Sequence, residues 1–290
     1  MDFGHQGMAC GFQSGAVMKV SVIMPAFNAR PWIREAIHSV LDQDHRDLEL
    51  IVVDNNSSDG TALVVASIED PRIVLLHEPR QGVAAARNKA LDRMSGDCFC
   101  FLDADDLMPQ GSLSDRIGRL RADRSIMFVD GIVQLMDARA ERVLSTWRPA
   151  FEGMPYHELL SLSGRCFLGI TWLVRRVDGC TYRFDERLTH AEDLLFLISI
   201  ARGGNYTHVP VPVLKYRRGH PSAMSDLNGL QNGYAGLVRS LRDLDPPPDD
   251  HQLRTLWARV RRIMWRSFLK KRKPLRAIAA AWATLPGRWP

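Results

Sequence analysis

The chain has 290 residues, 46% hydrophobic and 24% charged, a balance that excludes a disordered or fibrous protein and suits one large domain or a domain with an appendage. Its formal net charge of +5 is unevenly placed: eleven Lys or Arg and no acid lie between Gln252 and Pro290, so the first 251 residues are net −6 once that +11 is set aside. Five cysteines, Cys10, Cys98, Cys100, Cys166 and Cys180, have no disulfide-framework spacing, and no apolar run reaches the roughly 20 residues of a membrane-spanning helix.

The first eighteen residues, MDFGHQGMACGFQSGAVM, carry Asp2 where a signal peptide has a basic start, and lack its apolar core. They read as a flexible extension, Met18 as an alternative start, and the cytoplasm as the expected location. KVSVIMPAF (19–27) is a continuous β-branched run closed by Pro25, the mark of a strand buried on both faces. RPWIREAIHSVLDQ (30–43) follows with Pro31 at a helix start and Ile33, Ala36, Ile37, Val40 and Leu41 at helical spacing. LELIVVD (48–54) is the second strand, NNSSDGT a turn leading into a helix to about Ile68, and RIVLLHE (72–78) the third strand. GVAAARNKALDRM (82–94) is a helix opened by Gly82, and CFCFLD a fourth strand on which Cys98 and Cys100 share a face as small buried hydrophobes.

This alternation predicts an α/β fold with a doubly wound, Rossmann-like, mostly parallel sheet, whose ligands bind beyond the carboxyl ends of the strands. Asp54 closes the second strand and Asp103 the fourth, so both are expected at one crevice. CFCFLDADDL then brings Asp103, Asp105 and Asp106 to the surface together. Neighbouring carboxylates disfavour one another's ionisation, and a divalent cation would offset that. A solvated turn with Asp105 or Asp106 capping a helix is the plainer alternative.

Farther on, MFVDGIVQLMD (127–137) and GITWLVRR (169–176) look like strands, and ERLTHAEDLLFLISIARGG (186–204) contains a helix. THVPVPVLKYRRG (207–219) is extended, and its two prolines assign it to a sheet edge or loop. DLDPPPDD (243–250) is a Pro-rich acidic linker.

VSVIMPAFNA, LELIVVDNNSSDGT, GVAAARNKAL, FLDADD and FDERLTHAEDLLF stand in the order found in inverting family 2 glycosyltransferases of GT-A fold, which the chain resembles over roughly residues 19–222. The resemblance implies a GT-A domain over 19–242, with a nucleotide-binding half (19–106) and an acceptor half (107–242), a linker at 243–251 and a helical extension at 252–290. It implies a nucleotide-sugar donor, UDP-linked, lined by Pro25, Ala26 and Asn28, with Asp54 accepting from the uracil N–H. Arg87 would sit near the diphosphate or the Asp103 carboxylate, Asp103 would reach the ribose or support the metal, and Asp105 would ligate Mn²⁺ or Mg²⁺. Asp193, with Glu192 adjacent, matches the catalytic base; paired acids at a helix start are otherwise dipole partners. YRRGHPSAMS (216–225) resembles the segment that closes over the donor, with Arg217, Arg218 or His220 neutralising phosphate. The acceptor would be a saccharide or lipid-linked saccharide of cell-envelope or extracellular polysaccharide synthesis. The Gln-x-x-Arg-Trp motif of processive synthases is absent, so one sugar per encounter is expected.

The tail, 253–289, holds four of the seven tryptophans. Leu253, Leu256, Trp257, Val260, Ile263, Met264 and Phe268 fall on one helical face ringed by arginines, and Pro274 should break the helix. Two readings follow: an interfacial helix held on the inner membrane surface by anionic lipid through 252–276, or a helix packed on the domain. No nucleic-acid motif accompanies the charge, and no nucleic acid is expected. Two alternatives to glycosyl transfer are a nucleotidyltransferase and a non-catalytic membrane-surface protein. The first would place a Gly-rich basic loop after the first strand, where MPAFNARPW has neither glycine nor lysine; a dehydrogenase would need a G-x-G-x-x-G there.

Overall fold

The computed structural model describes residues 18–219 and 226–287. Four strands, β1 (Val20–Ala26), β2 (Leu48–Asp54), β3 (Ile73–His77) and β4 (Cys98–Phe101), pair in parallel in the spatial order β3-β2-β1-β4. Between them run α1 (Ile33–Leu41), α2 (Thr61–Ala66) and α3 (Val83–Leu91). All of β1 and β2 is buried, as continuous apolar runs require when both faces of a sheet are covered. Alternation sorts their side chains: Phe99 and Phe101 enter one core with Ile23, while Cys98 and Cys100 enter the other with Val20, Val22 and Met24. Both cysteines are free, and burial pushes their thiols up.

The second half adds α4 (Ser112–Ala122), β5 (Ile126–Met136), β6 (Val143–Trp147), α5 (Tyr156–Leu160), β7 (Leu173–Arg175), α6 (Glu192–Ile200) and β8 (Asn205–Arg217). β7 lies antiparallel between β4 and β5, β6 is antiparallel to β5, and β8 runs parallel along β5. The sheet is therefore parallel through its first four strands and mixed beyond them. β8 lies at an edge, where Pro210 and Pro212 deprive the ladder of no needed donor. Its register shifts beside Gly131, where a Cβ would run into the Val213 side chain and lie 2.9 Å from the Val211 carbonyl oxygen. Gly131→Ala is expected to destabilise the protein by about 1–3 kcal/mol, the cost of overpacking, read as a lowered urea midpoint at unchanged slope.

Three helices complete the chain: α7 (Leu227–Leu241), α8 (Asp250–Lys270) and α9 (Pro274–Ala281). α8 opens on a capping box in which the Asp249 side chain accepts from the Gln252 amide and the Gln252 side chain returns a bond to the Asp249 backbone. Its apolar face packs inward: Leu253, Leu256, Trp257, Val260, Met264 and Phe268 are buried in the same core as α6 and α7. Each contributes about 1.5–3 kcal/mol by leaving water, so this face belongs to the protein interior. Of the two readings of this segment, packing on the domain accounts for the apolar face of α8. Among the described residues, no helix is long and apolar enough to cross a membrane.

Candidate active site

Parallel pairing sets the carboxyl ends of the first four strands side by side. Ala26 lies opposite Asp54, Asp54 opposite His77 and Ile23 opposite Phe101; the Leu102 amide then donates to the Ile23 carbonyl. Asp54 and Asp103 thus emerge at one edge of the sheet, where the strand order reverses around β1.

Asp54 is 5% exposed. Its Oδ2 lies 3.4 Å from the Ser57 amide and 3.4 Å from His77 Nδ1, while its buried Oδ1 has no donor among the described residues. A buried acceptor left open is costly unless a ligand supplies the donor. Pro25 and Ala26, both buried in β1, bring the chain to this edge, and Phe27 follows with 53% of its surface exposed. Asn28 takes a left-handed turn at φ +48°, accepting at its amide oxygen from the Ser58 amide (2.9 Å) and donating its own amide to Ser57 Oγ (3.0 Å). It ties the first loop to the second. Asn55 extends the tie: its amide nitrogen donates to the Glu78 and Arg80 carbonyls, and its oxygen accepts from the Gly82 amide. Phe27 and Asn55 join the residues expected at this edge from sequence. An aromatic exposed immediately after a fully buried strand, and an Asn following the strand-end Asp, are the signals that mark them.

The second cluster centres on Arg87, 4% exposed on α3. Its guanidinium donates to Asp103 Oδ1 (3.0 Å) and to Glu192 Oε1 (3.0 Å), and lies 5.3 Å from the Phe184 ring and 5.8 Å from that of Phe101. Burial works against its charge, but Asp103, Glu192 and Asp193 outweigh that and raise its pKa. Of the two positions expected for Arg87, the structure places it at Asp103. Asn88, next on the helix, grips the chain leading to α6, donating to the Phe184 carbonyl (3.0 Å) and Glu186 (2.9 Å) and accepting from the Phe184 amide (2.8 Å).

Glu192 and Asp193 occupy the first turn of α6, whose N-cap, Ala191, is left-handed at φ +61° and makes no side-chain cap. Burial and the adjacent Asp193 charge push Glu192 up to about 7, against the pull of Arg87. Asp193 is raised as well, by burial, although Arg87 and the Leu194 amide, which donates to Oδ1 at 2.7 Å, favour its charge. Carboxyls whose pKa is raised are what general-base chemistry needs. α7 closes over this turn. A Cβ on Gly233 would lie 2.6 Å from the His190 carbonyl oxygen, so only glycine lets the helix come so close. Tyr234 beside it is pushed up to about 12 by burial and by the Asp193 charge.

Asp103 and Asp105 are both partly exposed, whereas Asp106 is 3% exposed and accepts from the Arg217 amide at 2.8 Å. Among the described residues no three His, Cys, Asp or Glu side chains are grouped to hold a metal. Two hard-oxygen side chains on one accessible turn nevertheless fit Mg²⁺ or Mn²⁺, which ordinarily complete their shells with phosphate and water. Asp105 and Asp103 are the residues that would hold it.

Arg217 departs from expectation. It is 4% exposed, and its guanidinium donates to Glu35 (2.8 Å), the Asp105 carbonyl (2.8 Å) and the Ala138 carbonyl (3.1 Å). It is a strut between α1, the Asp-x-Asp turn and the turn that follows β5, so the phosphate-neutralising role expected of it is corrected; β8 ends beneath the Asp-x-Asp turn and draws the side chain inside. Arg218, next along, is exposed. His220 lies outside the described residues.

Residues 21–178 match the sequence profile described as Glycosyl transferase family 2. A relative from Escherichia coli, UDP-Glc:alpha-D-GlcNAc-diphosphoundecaprenol beta-1,3-glucosyltransferase WfgD, is 32% identical over 211 residues, covering 71% of this chain and 80% of that protein. The Campylobacter jejuni GalNAc(5)-diNAcBac-PP-undecaprenol beta-1,3-glucosyltransferase is 44% identical over 100 residues, 33% of this chain; the match spans only 32% of that longer protein. Staphylococcus aureus TarS (residues 1–349) in complex with UDP-GlcNAc superposes with a TM-score of 0.65 at 18% identity, covering 91% of this chain and 81% of that one. The mannosyltransferase PcManGT from Pyrobaculum calidifontis, in complex with GDP-Man and Mn²⁺, superposes at 0.57 and 22% identity, covering 94% and 78%. These likenesses confirm the α/β fold with its central sheet and C-terminal helices.

Proposed function

Because the chain belongs to glycosyl transferase family 2, we propose that it moves one sugar from a UDP-linked donor to a hydroxyl of a saccharide carried on a membrane lipid, with inversion, in the synthesis of a cell-envelope polysaccharide. The observation that carries this is the meeting, at one sheet edge, of an open buried acceptor on Asp54, the Asp103–Asp105 turn and the Glu192–Asp193 pair joined through Arg87. Two relatives named for undecaprenol-linked substrates support the acceptor class, and on such an acceptor the protein would work at the inner face of the membrane.

Donor binding starts at Asp54, whose open Oδ1 accepts from the uracil N–H while Phe27 offers its ring to the base. Pro25, Ala26 and the Asn28–Asn55 knot fix the loops around it, so the site costs little to organise when the nucleotide arrives. A divalent ion at Asp105 and Asp103 would supply positive charge against the diphosphate. Arg87 holds Asp103 and Glu192 in place, and among the described residues exposed Arg218 is a basic group that can meet phosphate. Asp193 takes the proton from the acceptor hydroxyl as that oxygen attacks the anomeric carbon. The new C–O bond forms as the bond to phosphate breaks, the electron pair leaves with UDP, and an α-linked donor gives a β-linked product.

Thermal denaturation with UDP and Mn²⁺ tests the reading. The two together should raise Tm more than either alone, as a ligand binding only the native state must. Asp54→Ala, which removes the acceptor, should weaken UDP affinity by about tenfold, the equivalent of one lost hydrogen bond to a uracil N–H. Asp105→Asn should remove the manganese-dependent part of the shift. Absence of any shift, with no release of UDP from any UDP-sugar, would defeat the proposal.

A further inference from the structure

α9 is turned the wrong way for a helix in water. The face it buries against α8 consists of Ala277 and Ala280, 0% and 2% exposed. The opposite face presents Leu275 at 81%, Ile278 at 49% and Trp282, just past the helix, at 82% exposure. Positions 275, 278 and 282 recur at the helical period, so the three form one stripe, with Ala279 between them. A helix packed only for solubility would put the leucine, isoleucine and tryptophan inside and the alanines outside.

The pose is fixed by contacts that leave this stripe untouched. Trp257 Nε1 donates to the Ala283 carbonyl at 2.9 Å and an Arg261 guanidinium nitrogen to the Ala281 carbonyl at 3.2 Å, pinning the end of α9 to α8. Beside the stripe, Lys270, Lys271, Arg272, Lys273 and Arg276 are all exposed, as is Leu269 at 43%. No acid follows Asp250 in the sequence to neutralise them. Exposed aliphatics, an exposed indole and an unbroken cationic rim are the composition of a surface that lies in the headgroup region of an anionic bilayer. A second copy of the chain would bring like charges together, and nucleic acid would leave Leu275 and Ile278 without a use.

We propose that the outward face of α9, with the basic turn before it, docks the protein on an anionic membrane leaflet. This is a different surface from the apolar face of α8, which is spent on the core. Its purpose rests on the reading of a lipid-linked acceptor; its existence does not, since lipid binding is measured without turnover.

Co-sedimentation of the full chain with vesicles of phosphatidylcholine containing about one-third phosphatidylglycerol is the test, pure phosphatidylcholine being the control. Binding to the anionic vesicles should exceed the control by at least about tenfold and weaken as salt screens the cations. The triple variant Leu275→Ser, Ile278→Ser, Trp282→Ser should lose about tenfold or more in vesicle affinity, as removal of its apolar anchors demands. Since all three side chains point outward, its Tm and its stabilisation by UDP with Mn²⁺ should stay those of the parent. Trp282→Phe should remove most of the fluorescence quenching that brominated lipid produces in the parent. Equal binding to both vesicle types, binding unchanged in the triple variant, or retention of RNA without retention on vesicles would each overturn the proposal. Loss of UDP-dependent stabilisation in the parent would instead strike the donor reading alone.

Discussion

Asp193→Asn should lower the turnover of sugar transfer by about 10²–10⁴-fold, the usual contribution of a positioned general base, while the fold persists. Asn keeps the shape and can still accept from the Leu194 amide, but it cannot take the acceptor's proton. UDP affinity, measured by calorimetry, should change by less than about twofold, because the lost interaction is made only as the transition state forms. Glu192→Gln should cost less in turnover, since Glu192 is already engaged by Arg87. A reversed order would move the base to Glu192. In the parent, burial holds both carboxyls protonated to higher pH than free side chains, Glu192 to about 7. Asp193 must be ionised to act, so the acid limb of the turnover profile should lie above the pH at which a free aspartate ionises. An acid limb at the ordinary aspartate position would contradict the assignment.

Removing Arg87 should have the largest effect on stability. Arg87→Met leaves Asp103 and Glu192 facing one another's charge with no cation between them, in surroundings where Glu192 is 9% exposed. Breaking a buried pair from one side costs about 3–5 kcal/mol, readable as a drop in the urea midpoint. Arg87→Lys should recover only part of this, because a single ammonium cannot span two acceptors as a forked guanidinium does. The double variant Arg87→Met, Glu192→Gln should regain some of what the single variant loses, since one unpaired carboxylate is gone; strict additivity would show that the two residues are not coupled.

What the sequence made legible follows from how locally each feature is determined. Strands β1, β2 and β4 are buried along their whole length, so their apolar runs leave no other assignment, and parallel pairing then forces Asp54 and Asp103 to one edge. The union of Arg87 with Glu192 spans 105 residues and depends on the first turn of α6 coming within hydrogen-bond reach of α3, which no local pattern encodes. A basic stretch such as that around Arg217 reads alike whether it faces phosphate or lies under a turn; only the path of β8 beneath Asp105 decides. The same ambiguity covered α8, whose amphipathic stripe suits a bilayer and a protein core equally well. Helix α7 was hidden by its own composition. Gly229, Gly233 and Gly236 argue against a helix by propensity, and tertiary packing overrides them.

That packing reaches beyond α7 itself. With Gly229 and Gly233 seated against His190, three residues before Asp193, the helix acts as a template on which the reactive turn is cast. A chimera grafting this helix from a distant homologue would import a different mould, and its catalysis would falter although every carboxylate had been inherited intact.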